Sequence, residues 1–303
     1  MTGASTQRAA ATGHDEPCGG KPRAEVTIAG AALVLDCDGA LYWPDAGLLA
    51  ISDLHLEKGS SFAARGVLLP PYDTARTLAR LALVIARYAP QAVIALGDSL
   101  HDGDGAARMA AADRDALRAL QRGRDWMWIA GNHDPEPAIG VGGSFGAVLA
   151  VGALSFRHEP GGAAGEIAGH LHPVARVSRR GCSVTRRCFA SDGMRLLMPA
   201  FGAFAGGLNV GGRALADVFG TFAFMAYVLG EGRIYSSPRR TMSRRLSPHA
   251  LGVAPRRQRL EPGSPRSGRP GREMAVGAAC VMCISPAGRR RMQTSRWRLP
   301  SSR

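Results

Sequence analysis

Five short polar segments, each placed directly after an apolar run, most restrict what this 303-residue chain can fold into. They are DLH at 53–55, GD at 97–98, GNHD at 131–134, H at 158 and GHLH at 169–172. An apolar run that stops at carboxylate and imidazole side chains is typical of a buried strand that opens into a site at its carboxyl end. The pattern therefore predicts that sheet edges bring these polar side chains together.

The order of the predicted elements indicates an α/β fold. Apolar runs at 26–28, 32–35 and 40–43 predict antiparallel strands, and runs at 48–52, 92–96 and 126–130 predict buried strands. Helices are predicted over 72–88, with Asp73 as a plausible N-cap, and over 106–121. After residue 137 the runs become short and turn-bounded, which predicts a mostly β half. Its predicted strands are 147–151, 154–157, 166–168, 174–177, 183–189, 195–198 and 218–230.

The net charge of +14 comes entirely from the C-terminal part of the sequence. Residues 238–303 contain 16 Arg and two Glu, whereas residues 1–237 contain 22 basic and 22 acidic side chains. That terminal part is rich in Arg, Pro, Ser and Gly and has no sustained periodicity. We therefore predict disordered tails over 1–23 and 238–303, on either side of a folded domain over 24–237.

The remaining composition favours a cytoplasmic protein without membrane association. No apolar run approaches the roughly 20 residues that a membrane span needs, and residues 1–21 lack the apolar core of a secretory signal. Six scattered cysteines do not form a disulfide framework. The lone CxxC at Cys280 and Cys283 lacks the second pair that a structural zinc site requires.

The five segments supply ligands of the kind that bind divalent cations. Asp53 and His55 are separated by one residue, and on an extended segment such side chains point the same way. His170 and His172 repeat this spacing. The Asp98 carboxylate has two oxygens and is able to bridge two cations, and Asn132 offers an uncharged oxygen.

Oxygen and imidazole ligands without thiolate suit Mn²⁺, Fe or Zn²⁺. Two such ions activate a water molecule and neutralise a phosphate, which points to phosphoester hydrolysis. Any one segment has an ordinary explanation, since His133 and His158 are also compatible with core histidines, and Asp53 and Asp98 with helix caps. All five segments in order, each at a predicted strand end, favour the metal site.

The motif order also resembles a known family, the calcineurin-like metallophosphoesterases. It is most similar to one branch, the bacterial ligase-associated DNA-damage-response endonucleases. The segments that carry the resemblance are residues 54–63, 69–74, 96–99 with His101 and Asp102, 156–160, 169–173, 199–202 and 206–209. The resemblance covers about residues 25–237 and leaves the Arg-rich end outside it.

This resemblance implies a four-layer α/β/β/α sandwich with a dinuclear site between its loops. It implies three groups of ligands: Asp53, His55 and His172 on one ion; Asn132, His158 and His170 on the other; and Asp98 between them. It places His133 beside the phosphate as a catalytic residue, oriented by Asp134. The expected ions are Mn²⁺, with Fe or Zn²⁺ as alternatives.

The expected reaction is attack of a metal-bound hydroxide on phosphorus, with protonated His133 taking up charge or protonating the leaving group. The resemblance implies a nucleic-acid substrate (single-stranded DNA or DNA ends) in DNA repair, with a DNA ligase, helicase or nuclease as partner. Glu57, Lys58, His101 and Asp102 are candidate substrate contacts. For Glu57 and Lys58, a solvated helix face is an equal alternative.

Two other functions stay open at this point. A phosphomonoesterase or nucleotide pyrophosphatase would use the same metals. A non-catalytic tether to nucleic acid or membrane would use the Arg-rich end instead, and its binding would depend steeply on salt.

Overall fold

The computed structural model describes residues 22–70, 72–138, 140–179, 182–220 and 223–240. The predicted N-terminal tail up to residue 21 lies outside these ranges. So do residues 241–303, with Cys280 and Cys283.

Seven strands form the first sheet in chain order. They are β1 (Arg23–Ile28), β2 (Ala31–Asp36), β3 (Leu41–Trp43), β4 (Leu48–Ile51), β5 (Ala92–Leu96), β6 (Asp125–Ile129) and β7 (Ser144–Gly146). The strands β1 to β4 are antiparallel neighbours, whereas β4, β5, β6 and β7 run parallel. The carboxyl ends of β4, β5 and β6 therefore share one edge.

The second sheet has the order β15-β14-β12-β13-β10-β9-β8, with β11 paired to β12. Its strands are β8 (Val148–Val151), β9 (Leu154–Arg157), β10 (Glu166–Ala168), β11 (Val174–Arg179), β12 (Cys182–Ser191), β13 (Leu196–Leu197), β14 (Ala223–Leu229) and β15 (Ile234–Arg240). Because β9 and β10 are parallel, their carboxyl ends also lie side by side.

Five α-helices accompany the sheets within the described ranges: α1 (Lys58–Ala64), α2 (Asp73–Tyr88), α3 (Gly105–Arg108), α4 (Ala111–Gln121) and α5 (Arg213–Phe219). A 3₁₀ turn spans Pro44–Ala46. No helix in the described part of the chain is long and apolar enough to span a membrane.

The layers follow from the alternation of side chains along the strands. In β4, Leu48 and Ala50 pack into a core shared with the second sheet, while Leu49 and Ile51 pack against α2 and α4. Burial on both faces explains why this strand is a continuous apolar run. On the far face of the second sheet, Leu215 of α5 completes a third cluster. The predicted α/β sandwich is thereby confirmed.

Two details of the predicted helices are wrong. The helix expected over 106–121 is two helices, because Met109 is extended (ψ 130°) and the Arg114 side chain donates to the carbonyls of Ala106 and Met109. Asp73 is the first residue of α2 rather than its N-cap, and its carboxylate accepts a hydrogen bond from the Gly59 N–H at 2.9 Å.

Two boundaries near the C-terminal part also differ. The strand expected over 218–230 begins only at Ala223, because residues up to Phe219 belong to α5. The predicted disorder from residue 238 is wrong for its first three residues, since β15 pairs with β14 as far as Arg240. The helices α1 and α5 and the strands β7 and β15 were not predicted.

Candidate metal centre

The predicted polar segments meet at the carboxyl ends of β4, β5, β6, β9 and β10. Backbone hydrogen bonds hold these loops together: the His55 N–H donates to the Asp98 carbonyl at 2.8 Å, and the Gly169 N–H donates to the His158 carbonyl at 3.0 Å. The His170 N–H donates to Asp53 Oδ2 at 3.1 Å and so joins the two sheets. The relative positions of the loops are thus fixed by main-chain hydrogen bonds and by the Asp53 carboxylate.

The side chains gather into two groups. Asp53, His55 and His172 form one group, and Asp98, His158 and His170 form the other. Within each group the candidate ligand atoms lie within 4.8 Å of one another. Each group therefore combines carboxylate oxygen with imidazole nitrogen, the donor set that suits Mn²⁺, Fe or Zn²⁺.

Asp98 belongs to the second group, is buried, and also faces His55 of the first group. Its Oδ2 is 4.0 Å from His55 Nε2, and its Oδ1 is 3.5 Å from His158 Nε2. The two oxygens of one carboxylate thus face opposite groups, as a bridging ligand requires.

The backbone that carries these ligands is not extended, contrary to the expectation for Asp53 and His55. Their φ angles are 51° and 44°, and those of His170 and His172 are 65° and 43°. Five of the nine positive-φ residues other than glycine in the described ranges are predicted ligands. Such conformations cost of order 1–3 kcal/mol each and concentrate at functional sites. The resulting turns send His170 and His172 into different groups.

Glycines allow this close approach. Gly97 has a φ of 71°, and a Cβ on it would lie 2.5 Å from the His158 ring. A Cβ on Gly169 would lie 2.6 Å from Asp53 Oδ2. Side chains at either position would displace a predicted ligand.

Backbone carbonyls orient three of the histidine rings. The Nδ1 atoms of His158, His172 and His133 lie 2.9, 3.1 and 2.8 Å from the carbonyl oxygens of Leu96, Gly206 and His101, respectively. A carbonyl only accepts, so Nδ1 carries the proton and Nε2 is left for a ligand or proton. His172 Nε2 accordingly lies 3.1 Å from Asp53 Oδ1.

The donor atoms fit divalent cations. His55 Nδ1 is buried without a hydrogen-bond partner among the described residues, and burial lowers the pKa of His55 to about 3. His158 Nε2 and His170 Nδ1 are 3.1 Å apart. Two nitrogens bound to one ion at about 2.1 Å would be separated by roughly 3.0–3.4 Å. Burial would raise the pKa of Asp53, but the hydrogen bond and charge of His172, together with the Ser52 hydrogen bond and the charge of His158, lower it.

His133 lies beside this centre with a side chain that is 45% exposed. Its Nε2 is 3.9 Å from Asp98 Oδ2, and its ring stacks on His101 with centroids 4.9 Å apart. The expectation that Asp134 orients this ring is wrong. The Oδ2 atom of Asp134 accepts from the N–H groups of Ser99 and Leu100 at 2.7 and 3.0 Å, and the His101 carbonyl holds His133 instead.

The four candidate substrate contacts separate into two kinds. Glu57 is buried, and its carboxylate accepts from Thr74 and Ser60, so it is neither a solvated residue nor directed at a substrate. The Asp102 carboxylate accepts from Arg108 at 2.6 Å. Lys58 and His101 do lie beside the centre. Lys58 donates to the Phe204 carbonyl at 3.0 Å, and His101 contacts the rings of both His55 and His133.

Sequence analysis missed Glu159 as a side chain of the site. Its Oε1 accepts a 2.7 Å hydrogen bond from Nδ2 of the exposed Asn132, which directs Asn132 Oδ1 away from Glu159. Only its position directly after His158 was available as a signal for Glu159. The carbonyls that orient the histidines have no signal in the sequence, because every residue carries one.

Residues 47–180 match the family model of the calcineurin-like phosphoesterases. All seven predicted metal ligands fall within this range. These residues are a calcineurin-like phosphoesterase domain, and the chain is a metal-dependent phosphoesterase.

Among solved structures, the chain is similar to the nuclease MPE of Pseudomonas putida, with 28% identity and a TM-score of 0.57. That match covers 71% of this chain and 100% of the nuclease. A phosphoesterase of E. coli, Yfce, matches at 14% identity over 64% of this chain and 99% of that one, with a TM-score of 0.32. No curated protein matches the chain.

Proposed function

We propose that this chain is a two-metal phosphodiesterase that cleaves nucleic acid, acting as an endonuclease on single-stranded DNA or DNA ends in repair. The observation that carries the proposal is the position of Asp98, whose two oxygens face two separate ligand groups. Similarity to a nuclease over that protein's whole length supports a nucleic-acid substrate. The role in repair is supported by the motif resemblance.

The proposed ligand sets follow the two groups. Asp53, His55 and His172 would hold one ion, and His158 and His170, with Asn132 Oδ1, would hold the other. Asp98 would offer one carboxylate oxygen to each. When bound, two ions lower the pKa of a shared water and neutralise phosphoryl oxygens. Mn²⁺ is the proposed metal because every donor is oxygen or imidazole, and Fe or Zn²⁺ are the alternatives.

The chain's own residues then position the substrate and move protons. His133 presents Nε2 toward the centre, while its Nδ1–H is held by the His101 carbonyl. In its protonated form it donates from Nε2 to a phosphoryl oxygen or to the leaving oxygen. The Lys58 ammonium beside His55 and His101 adds positive charge for the substrate phosphate.

The wider setting is proposed on the resemblance and the charge distribution. The catalytic domain spans about residues 24–240 and acts in the cytoplasm. A DNA ligase, helicase or nuclease is the proposed partner. We propose that residues 241–303 are dispensable for hydrolysis.

A substrate panel tests the proposal. The full chain is loaded with Mn²⁺ and assayed on single-stranded DNA, duplex DNA, p-nitrophenyl phosphate and a nucleotide pyrophosphate. We expect the highest kcat/KM on single-stranded DNA, and strong losses in Asp98→Ala and His133→Ala. Preference for the monoester or the pyrophosphate would contradict the nuclease assignment.

A truncation separates catalysis from tethering. The chain is ended after Arg240, which keeps β15 intact. Unchanged hydrolysis is expected. The tether would be favoured if the truncated chain lost DNA binding but still bound metal and still hydrolysed small diesters.

A further inference from the structure

A ladder of stacked side chains leads outward from His133. The ring centroids of His133 and His101 are 4.9 Å apart with an interplanar angle of 21°, and those of His101 and Phe62 are 5.5 Å apart with an angle of 33°. The Arg65 guanidinium lies over the Phe62 ring, 4.9 Å from its centroid. The ladder therefore connects the metal centre with the surface at the end of α1.

Arg65, at the outer end of the ladder, is fixed by hydrogen bonds and exposed to solvent. Arg65 donates to the Ser61 carbonyl and hydroxyl at 3.2 and 2.7 Å, which fixes the plane of its guanidinium. One face of that plane covers Phe62, and the residue is exposed. Phe62 itself is only partly buried. A flat cationic surface is thus presented to solvent.

The charges around the centre differ between its two sides. Lys58 and Arg65, both near His101, make the α1 side positive. The nearby Arg108 is paired with Asp102 and adds no free charge. On the side of β9, the exposed carboxylate of Glu159 lies beside His158 and His170. A polyanionic strand would therefore leave the centre along α1.

Large apolar side chains continue this surface. The loop after α1 exposes Val67 by 50% and Leu68 by 86%, and Tyr72 before α2 is exposed by 74%. The Val67 N–H donates to the Phe62 carbonyl, and Asp73 next to Tyr72 accepts from Gly59 of α1. Exposed apolar groups that lie together usually mark a binding surface.

We propose that Phe62 and Arg65, here called the α1 platform, stack a nucleobase of single-stranded nucleic acid next to the scissile phosphate. Aromatic and guanidinium planes stack unpaired bases, which duplex DNA does not offer. A purely apolar protein partner would not use the guanidinium plane or the charge of Lys58. This inference rests on the proposed function, and it specifies an unpaired strand as substrate.

Paired substrates test the platform in the Mn²⁺-loaded full chain. For each variant, kcat/KM is measured on single-stranded DNA, on the same strand without bases, and on methyl p-nitrophenyl phosphate. The variants are Arg65→Lys, which keeps the charge and removes the plane, and Phe62→Leu, which keeps an apolar side chain. Arg118→Ala, at an exposed arginine of α4, is the matched control.

We expect the ratio of kcat/KM on single-stranded DNA to that on the small diester to fall at least about 5-fold in Arg65→Lys and Phe62→Leu. On the strand without bases, kcat/KM of the same variants should differ from the wild-type value much less. Arg118→Ala should leave the ratio unchanged.

The contradicting results are distinct. If the wild type cleaves single-stranded DNA and both variants keep its ratio, the platform is overturned and the apolar loop is left for a protein partner. Equal losses on the strands with and without bases would also overturn it, because the contact would then be to the sugar–phosphate chain. A wild type that hydrolyses the small diester but no DNA would overturn the proposed function.

Discussion

The side-chain amide of Asn132 donates a 2.7 Å hydrogen bond to the exposed carboxylate of Glu159. Asn132 Oδ1 is the proposed ligand, and this bond fixes which way the amide faces. In the proposed site, Glu159 would thus orient a ligand rather than bind the ion, as residues behind a metal ligand commonly do.

Removing Glu159 should therefore weaken metal binding rather than folding. In Glu159→Ala, we expect the affinity for the ion proposed at His158, His170 and Asn132 to fall about 10–100-fold. Glu159→Gln keeps the acceptor and should bind nearly as the wild type does. Calorimetric titration of the metal-free protein with Mn²⁺ measures the metal affinity of each variant. Equal affinity in wild type and Glu159→Ala would rule out the orienting role.

His133 should matter for turnover but not for metal content. His133→Ala is expected to lower kcat by about 10²–10⁴, the usual contribution of a positioned proton donor. His133 nitrogen also lies within 4.8 Å of candidate ligand atoms of His55 and His101, so a ligand role is the competing assignment. Metal analysis of the purified variant distinguishes the role as proton donor from the role as metal ligand. A lower ion-to-protein ratio than in the wild type would make His133 a ligand.

The close approach of Gly97 to His158 gives a steric prediction. Gly97→Ala should displace the His158 ring and weaken metal binding, since its new Cβ would lie 2.5 Å from that ring. Gly123 is the matched control, because it also has a positive φ (74°) but nothing lies within 4 Å of a Cβ there. Gly123→Ala should cost only about 1–2 kcal/mol of stability and keep metal affinity. Equal metal affinity in the two variants would contradict the steric argument.

Asp36 should stabilise the fold without taking part in catalysis. It is fully buried, and its Oδ2 accepts from Arg87 at 2.6 Å and from the Tyr88 hydroxyl at 2.7 Å. Asp36→Ala removes the acceptor of the Tyr88 hydroxyl and leaves Arg87 paired with Asp38 alone, and should lower the free energy of unfolding by about 2–3 kcal/mol.

Asp38 also pairs with Arg87, at 3.1 Å, but its side chain is 30% exposed. Asp38→Ala should therefore cost less than about 1 kcal/mol. Urea unfolding of both variants gives the comparison, and similar midpoints would show that the buried pair contributes little.

The parts of this structure that were predicted correctly depend on local patterns. The strands β4, β5 and β6 were identified because burial on both faces makes them continuous apolar runs. The polar residue after each strand was then placed by the parallel arrangement, which brings the carboxyl ends to one edge.

The errors arose where a tertiary contact decides the local structure. The Arg114 side chain bonds to carbonyls at the break between α3 and α4, which a helical period does not indicate. Asp134 follows His133 in sequence, yet its partners are N–H groups of the loop after β5. Alternation along an extended chain failed for His170 and His172, because a positive φ turns each of them.

The most direct test of the central claim is anomalous diffraction from crystals soaked in Mn²⁺. We predict two Mn²⁺ peaks about 3.5–4 Å apart, with the Asp98 carboxylate between them. One peak should contact Asp53, His55 and His172, and the other His158 and His170. A single peak at this site, or two peaks that do not share Asp98, would contradict the two-metal account.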